Sequence, residues 1–205
     1  MRRSKEDSLV TRKIILNAAL KIFHTNGFKA TSISDICEEA GVTKGALYWH
    51  FESKDELFLK MLRENLDEIG SVVSYYRDQP IPPDEKLQKI YTSMFELIQN
   101  NKNFHMALEI VVTKAEIQGA KIAPEDTRKK EVMLNFTTIF QEVIDSGLFK
   151  DFMTASQYNF YFKSVMAGIV WGSFELPDMI SLKEWGPKFL EVTINNILLK
   201  NGGVR

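Results

Sequence analysis

Ser32-Ile33-Ser34-Asp35-Ile36-Cys37-Glu38-Glu39-Ala40-Gly41-Val42-Thr43-Lys44-Gly45-Ala46-Leu47-Tyr48-Trp49-His50-Phe51 is the stretch on which the reading of the whole chain turns. Ser32 with Asp35 three residues later makes a capping-box-like start, and Ile33, Ile36, Cys37 and Ala40 recur at i, i+3, i+4 and i+7, so the stretch opens as a short helix. Gly41 ends that helix, Thr43 caps a second short one over residues 44–50, and the pair has the pattern of a helix-turn-helix. Ile33, Ile36, Ala40, Val42, Leu47 and Phe51 can close a small core against Ile15, Ala19, Ile22 and Phe23 of a preceding helix. Lys44, Gly45, Ala46, Tyr48, Trp49 and His50 are left facing outward. Two large aromatics on that surface have no folding reason to meet water, so the surface calls for a partner.

Duplex DNA fits. A major groove admits one helix, the helix amino terminus with Thr43 can face phosphate, and Lys44 can reach a base-edge acceptor. Gly45 and Ala46 keep the helix near the groove floor, where Ala46 meets a thymine methyl. Tyr48 and His50 donate to backbone oxygens, and Lys54 adds a cation at the flank. Contacts to phosphate fix register and contacts to base edges choose sequence.

Outward from this stretch, the apolar residues recur at helical spacing almost everywhere, and no segment alternates with period two, so the fold class is all-α. The first helix runs from about Asp7 or Ser8 to Asn26, with Gly27 as a left-handed stop. Ser53 and Glu56 open a fourth helix whose stripe from Phe58 to Tyr76 lasts to about Asp78, long enough to join two units. Pro80, Pro82 and Pro83 break it. Further helices fall at about 84–100, 103–118, 125–146, 155–174 and 182–200, with Gly186-Pro187 a candidate interruption of the last. The resulting architecture has about nine helices, with a head over 1–52, a body over 53–205, and residues 53–78 as the linking helix.

The charge follows the same division. The formal net charge of −1 hides 11 Lys and Arg against 8 Asp and Glu in residues 1–63, and 15 against 19 in residues 64–205. A basic head on an acidic body is the asymmetry expected when one end meets phosphate. A single cysteine, Cys37, on the inward stripe of its helix, reads as a small buried hydrophobe and points to no disulfide framework. No signal peptide and no long uncharged apolar run is present, so the expected setting is the cytoplasm, with no membrane partner. A Gly-rich phosphate loop, an H-E-x-x-H pair and a nucleophile in a recognisable setting are all missing. The reading is therefore no enzyme, no catalytic residue and no cofactor.

The residues also carry a resemblance. Ala18-Ala19 through Phe23, Gly27-Phe28, Thr31-Ser32, Asp35-Ile36, Ala40 to Gly45, Leu47 to Phe51 and Lys54-Asp55-Glu56-Leu57 together resemble the amino-terminal signature of the TetR/AcrR family of transcriptional regulators. The match runs over residues 9–62 without a gap. It implies a three-helix DNA-binding head and a helical body for ligand binding and dimerisation. Carried over position by position, it places DNA contacts on Thr43, Lys44, Gly45, Tyr48, Trp49, His50 and Lys54, with Thr31 and Ser32 as phosphate contacts. Trp49 stands where a second tyrosine is common in the family and lacks its hydroxyl.

In the body, the candidates for an apolar ligand cavity with a few polar groups are Leu66, Tyr91, Phe95, His105, Glu109, Met133, Phe136, Thr137, Phe140, Phe162 and Met166. Each has plain core packing as its alternative, and His105 with Glu109 at i, i+4 can instead bond each other. No metal site is expected, since no further histidine is near. The last two helices are apolar on more than one side, which calls for a second copy of the chain. Phe160, Val170, Trp171, Phe174, Leu190, Ile194, Ile197 and Leu198 are the candidate dimer face. The combined expectation is a homodimeric regulator, most simply a repressor. It binds a palindromic operator and is released by a small, mostly apolar effector. The alternatives are a helical carrier of hydrophobic ligands or a DNA binder without operator specificity.

Overall fold

The computed structural model of the protein describes residues 5–113, 127–149 and 152–197. Among these residues the chain forms α1 (Lys5–Ala30), α2 (Ile33–Ala40), α3 (Lys44–His50), α4 (Lys54–Arg77), α5 (Pro83–Asn100), α6 (Lys102–Thr113), α7 (Thr127–Asp145), α8 (Ala155–Glu175) and α9 (Leu182–Ile197), with no strand. The all-α expectation stands. Pro124 and Leu198 lie outside the described residues, as does the arm with Arg2 and Arg3.

Local chemistry sets the helix ends. Glu6 and Asp7 put negative charge at the positive end of α1. Gly27 differs from the expected stop. Its φ of 79° is positive, but its ψ of 167° lies outside the left-handed helical well, so the chain kinks and takes a further helical turn to Ala30. The α2 capping box is complete: the Asp35 amide donates to Ser32 Oγ at 3.2 Å and the Ser32 amide to Asp35 Oδ2 at 2.8 Å. Hydrogen bonds to the Asp35 carboxyl from Ser32, its backbone amide first and its side chain second, hold that carboxyl below its ordinary pKa. Gly41 (φ 63°, ψ 32°) ends α2 in the left-handed region, and the Val42 amide reaches back to the Cys37 carbonyl at 3.0 Å. At the start of α4, Ser53 Oγ accepts from the Glu56 amide as expected, while the Glu56 carboxylate accepts from Glu52 rather than from Ser53.

Two compact units result, dividing within α4 between Asp67 and Glu68. The first holds α1, α2, α3, the beginning of α4, and α6. Its core joins Ile15, Ala19, Leu20, Phe23, Ile36, Leu47, Phe51, Phe58 and Met61 to Met106, Ala107 and Ile110 of α6. The break thus differs from the 52/53 boundary of the sequence reading, because one face of α6 completes the head's core.

The second unit holds the end of α4 with α5, α7, α8 and α9. Here α5 packs against α7 and α9, and α8 against α7 and α9. Lys86, a buried lysine on α5, donates to the Arg77 carbonyl at the end of α4 at 2.8 Å and to Glu142 Oε2 on α7 at 2.9 Å. Arg77 in turn donates to Asn135 Oδ1 of α7 at 2.6 Å. Charge-assisted bonds therefore hold the last turn of α4 to its neighbours within this unit. Contrary to the expected interruption, α9 runs through Pro187. A Cβ on Gly186 would lie 3.0 Å from the Phe95 ring, so the glycine is what lets α9 approach α5 this closely.

Candidate nucleic-acid interface

Helix α3 is anchored from below and open above. Leu47 is fully buried and Phe51 nearly so, and they fix the helix on the core of the first unit. Thr43 Oγ1 accepts from the Ala46 amide at 3.2 Å, which leaves the hydroxyl proton to donate outward. The Phe51 amide closes the other end on the Leu47 carbonyl at 3.0 Å. Tyr48 is 53% and Trp49 72% exposed. Thr43, Lys44 and Gly45 are exposed, Ala46 and His50 half-buried, and the Trp49 and His50 rings meet edge to face at 4.6 Å. A Cβ on Gly45 would touch nothing nearer than Thr43 Oγ1 at 3.9 Å, so nothing in the chain itself requires a glycine there. Ser32 is exposed at the start of α2, with its hydroxyl oxygen accepting from the Asp35 amide.

Two of the expected contact residues are engaged within the chain. Thr31 is buried, and its hydroxyl donates to the Gly27 carbonyl at 2.7 Å, so it closes the kink after α1 instead of facing phosphate. Lys54 is half-buried, and its ammonium donates to the carbonyls of Phe28 at 2.8 Å and Thr31 at 2.9 Å. Both partners lie more than twenty residues away along the chain, a pairing no local pattern reveals.

The candidate ligand residues separate into three groups. Tyr91, Phe95, Phe136, Phe140, Phe162 and Met166 are buried in the second unit. Tyr91 stacks on Phe136 and on Phe162, each at 5.8 Å, and Phe140 lies 5.0 Å from Phe162. These rings fill the space between one another, and burial pushes the Tyr91 phenol pKa up. Met133 is half exposed, and Thr137 bonds the Met133 carbonyl and Asn159, which takes both away from an apolar lining. Leu66, His105 and Glu109 belong to the first unit. Leu66 packs on its core, and Glu109 Oε2 on α6 lies 2.8 Å from His24 Nε2 on α1 but 3.9 Å from His105 Nε2. Glu109 thus bonds across helices to His24, a partner that sequence reasoning missed, and His105, its alternative partner at i, i+4, stands farther off. Among the described residues no His, Cys, Asp and Glu gather as metal ligands.

Two surface grooves lie elsewhere in the second unit. One of about 680 Å³ is lined mainly by polar groups, including Asp84, Glu85, Gln88, Lys89 and Glu96. The other, of about 450 Å³, runs along the start of α8 by Met153, Phe160 and Tyr161.

The candidate dimer residues divide by their exposure in the single chain. Phe160 and Trp171 project from α8, 68% and 49% exposed. Phe174 is half-buried, whereas Val170, Leu190, Ile194 and Ile197 are buried in the protomer itself. The outward side of α9 is the opposite stripe, Trp185, Phe189 and Val192. An all-round apolar helix gives no sequence signal of which side the core takes.

Comparison with known proteins agrees with this geometry. The profile of bacterial regulatory proteins of the tetR family matches residues 15–61, from α1 into α4. The chain is 24% identical over 202 residues to the HTH-type transcriptional regulator AcrR of Shigella flexneri, covering 97% of this chain and 94% of that one. It is 47% identical over 136 residues to the probable HTH-type transcriptional regulator ArpR of Pseudomonas putida, 65% of this chain and 64% of that one. In fold it is similar to SmeT in its triclosan complex, with a TM-score of 0.82 at 20% identity over 94% of this chain and 93% of that one. With an outward-facing helix-turn-helix and these relatives, the chain is a transcriptional regulator and belongs to the tetR family of bacterial regulatory proteins.

Proposed function

We propose that the protein is a ligand-responsive repressor that binds a palindromic operator as a homodimer and is released by a small, mostly apolar effector. The observation that carries this reading is α3, whose Leu47 and Phe51 are sunk in the core while Tyr48 and Trp49 stand in the open. Lys44, Gly45 and Ala46 lie along base edges, and Thr43, Ser32, Tyr48, Trp49 and His50 lie along the sugar-phosphate backbone. Residues 1–52, whose core α6 completes, serve as the DNA-binding part and the rest of the chain as the effector-binding and dimerising part. The setting is the cytoplasm, and no catalysis is involved. Among the described residues no helix is long and apolar enough to cross a membrane.

Two heads enter successive major grooves when they stand about 34 to 36 Å apart or a multiple of that. Helix α4 begins in the core of one unit and ends in the polar clasp of Lys86 and Arg77 in the other. It is the element through which effector binding alters head spacing. The effect is a population shift, with a coupling of about 1 to 3 kcal/mol typical of such systems. The bound triclosan of SmeT supports an effector of small apolar aromatic type.

Selection of bound duplexes from a random library tests the operator claim. The expected product is an inverted repeat that outcompetes random duplex by about a thousandfold or more at one stated salt concentration. Equal binding of both identifies a DNA binder without operator specificity, and no binding of either leaves a carrier of apolar ligands. Titration of the complex with small apolar compounds, triclosan first, is expected to yield one that lowers affinity for the repeat.

The dimer is expected to pair the outward faces of α8 and α9 from two copies. Trp171→Glu places a charge at the middle of that face, and sedimentation at micromolar concentration is expected to show a folded monomer. A dimer that survives this change with unaltered affinity puts the interface elsewhere.

A further inference from the structure

We infer that the Tyr91 hydroxyl is the polar anchor of the effector site, and that the effector is a neutral aromatic compound with a hydrogen-bond-accepting oxygen, an inference that rests on reading the second unit as the effector-binding part. Tyr91 lies on α5 and is 3% exposed. Its ring stacks on Phe136 of α7 and Phe162 of α8, tilted by 30° and 21°. Neighbours on the two ring faces offer nothing to a proton that lies in the plane of the ring. Among the described residues no group bonds the hydroxyl, and its oxygen is not sealed in, since every fully enclosed polar side-chain atom has its partner.

The contrast with its surroundings is sharp. Lys86, Asn135, Asn159 and Thr193 are the buried polar residues of this unit among those described, and each is engaged. Lys86 meets Glu142, Asn135 meets Arg77 and Ser74, Asn159 meets Thr137, and Thr193 meets the Phe189 carbonyl. A buried phenol ordinarily has such a partner too. Burial pushes the Tyr91 pKa up, so the group stays a donor, and the same dry surroundings disfavour a charged acceptor. In the free chain the rings occupy the space themselves, so entry has to part them. Phe136, 8% exposed against 0% for Phe162, is the ring nearest the outside. An effector that slides in beside Phe136 exchanges one stacked ring for another, and its oxygen adds a bond that the free chain lacks.

Benzophenone and diphenylmethane differ by a carbonyl in place of a methylene. Both are titrated calorimetrically into the full chain and its Tyr91→Phe variant. The parent is expected to bind benzophenone about tenfold more tightly than diphenylmethane, the size of one net hydrogen bond. The variant keeps the ring, so it is expected to hold both probes alike, at the parent's affinity for diphenylmethane, with no loss of melting temperature. The infrared carbonyl stretch of bound benzophenone is expected at lower frequency in the parent than in the variant, a signature that a merely structural hydroxyl does not move. Equal affinity of the parent for both probes overturns the inference and leaves a water at the hydroxyl. A variant that retains the preference overturns it as well, and so does a parent that binds neither probe. A lower melting temperature in the variant with the stretch unmoved overturns it in favour of a hydroxyl that supports the fold. Operator release is followed in the same titrations. The carbonyl preference without any release upholds the anchor and defeats the proposed effector control, so the two fail separately.

Discussion

Tyr48→Ala is expected to abolish operator binding while the melting curve stays where it was. The ring is half in solvent, and the two neighbours that seat α3, Leu47 and Phe51, are untouched by the change. Surface substitutions away from caps and buried contacts usually stay within about 0.5 kcal/mol. Binding is another matter, since exposed aromatics at an interface centre are commonly worth about 2 kcal/mol or more each. A symmetric dimer loses the residue twice, so about 4 kcal/mol, or close to a thousandfold in affinity, is the expected size. Fluorescence anisotropy with a labelled inverted repeat, beside calorimetry of the free protein, checks both halves. A drop of several degrees in melting temperature would mean that Tyr48 supports the fold and that the groove-facing surface has been misplaced.

Phe58→Ala is expected to do the reverse, removing stability first and binding only as a consequence. Phe58 is 1% exposed, meets Phe23 edge-on at 5.0 Å and supports Phe28 at 4.9 Å. Truncating such a ring costs about 3 to 5 kcal/mol, because the surrounding structure relaxes only in part around the cavity. For a chain of this size that lowers the melting temperature by roughly 10 °C or more. Circular dichroism melts and duplex titration at several temperatures are expected to show affinity vanishing with helicity. Loss of affinity at temperatures where the helices are intact would show that Phe58 acts on α3 by position rather than through the core. A cost below about 1 kcal/mol would show that the site collapses readily.

Legibility from sequence follows the range over which each signal acts. The Ser32–Asp35 box, the Gly41 stop and the Thr43 cap are contacts within three or four residues, and all three stand where the spacing placed them. The outward position of Tyr48 and Trp49 was legible for the same reason, as the remainder once the core residues had been assigned. Thr31 and Lys54 were not legible. A threonine beside a helix start looks available until its hydroxyl is seen on the Gly27 carbonyl, and Lys54 reaches carbonyls 23 and 26 residues back. Nor does periodicity rank two apolar faces of one helix, which is why Leu190 and Ile194 are inside and Phe189 and Val192 outside, against expectation. Aromatic richness likewise announces large side chains without saying whether they enclose space or occupy it. In Tyr91, Phe136, Phe140 and Phe162 they occupy it.

The place of α6 constrains anyone who would build chimeras from this regulator. Met106, Ala107 and Ile110 complete the hydrophobic interior beneath α1, α2 and α3, although some fifty residues of polypeptide separate them from Phe51. Splicing the first 52 residues onto a foreign partner would strip away that lid and leave oily side chains facing water. A working transplant has to carry two separate stretches of chain, or redesign the bare underside.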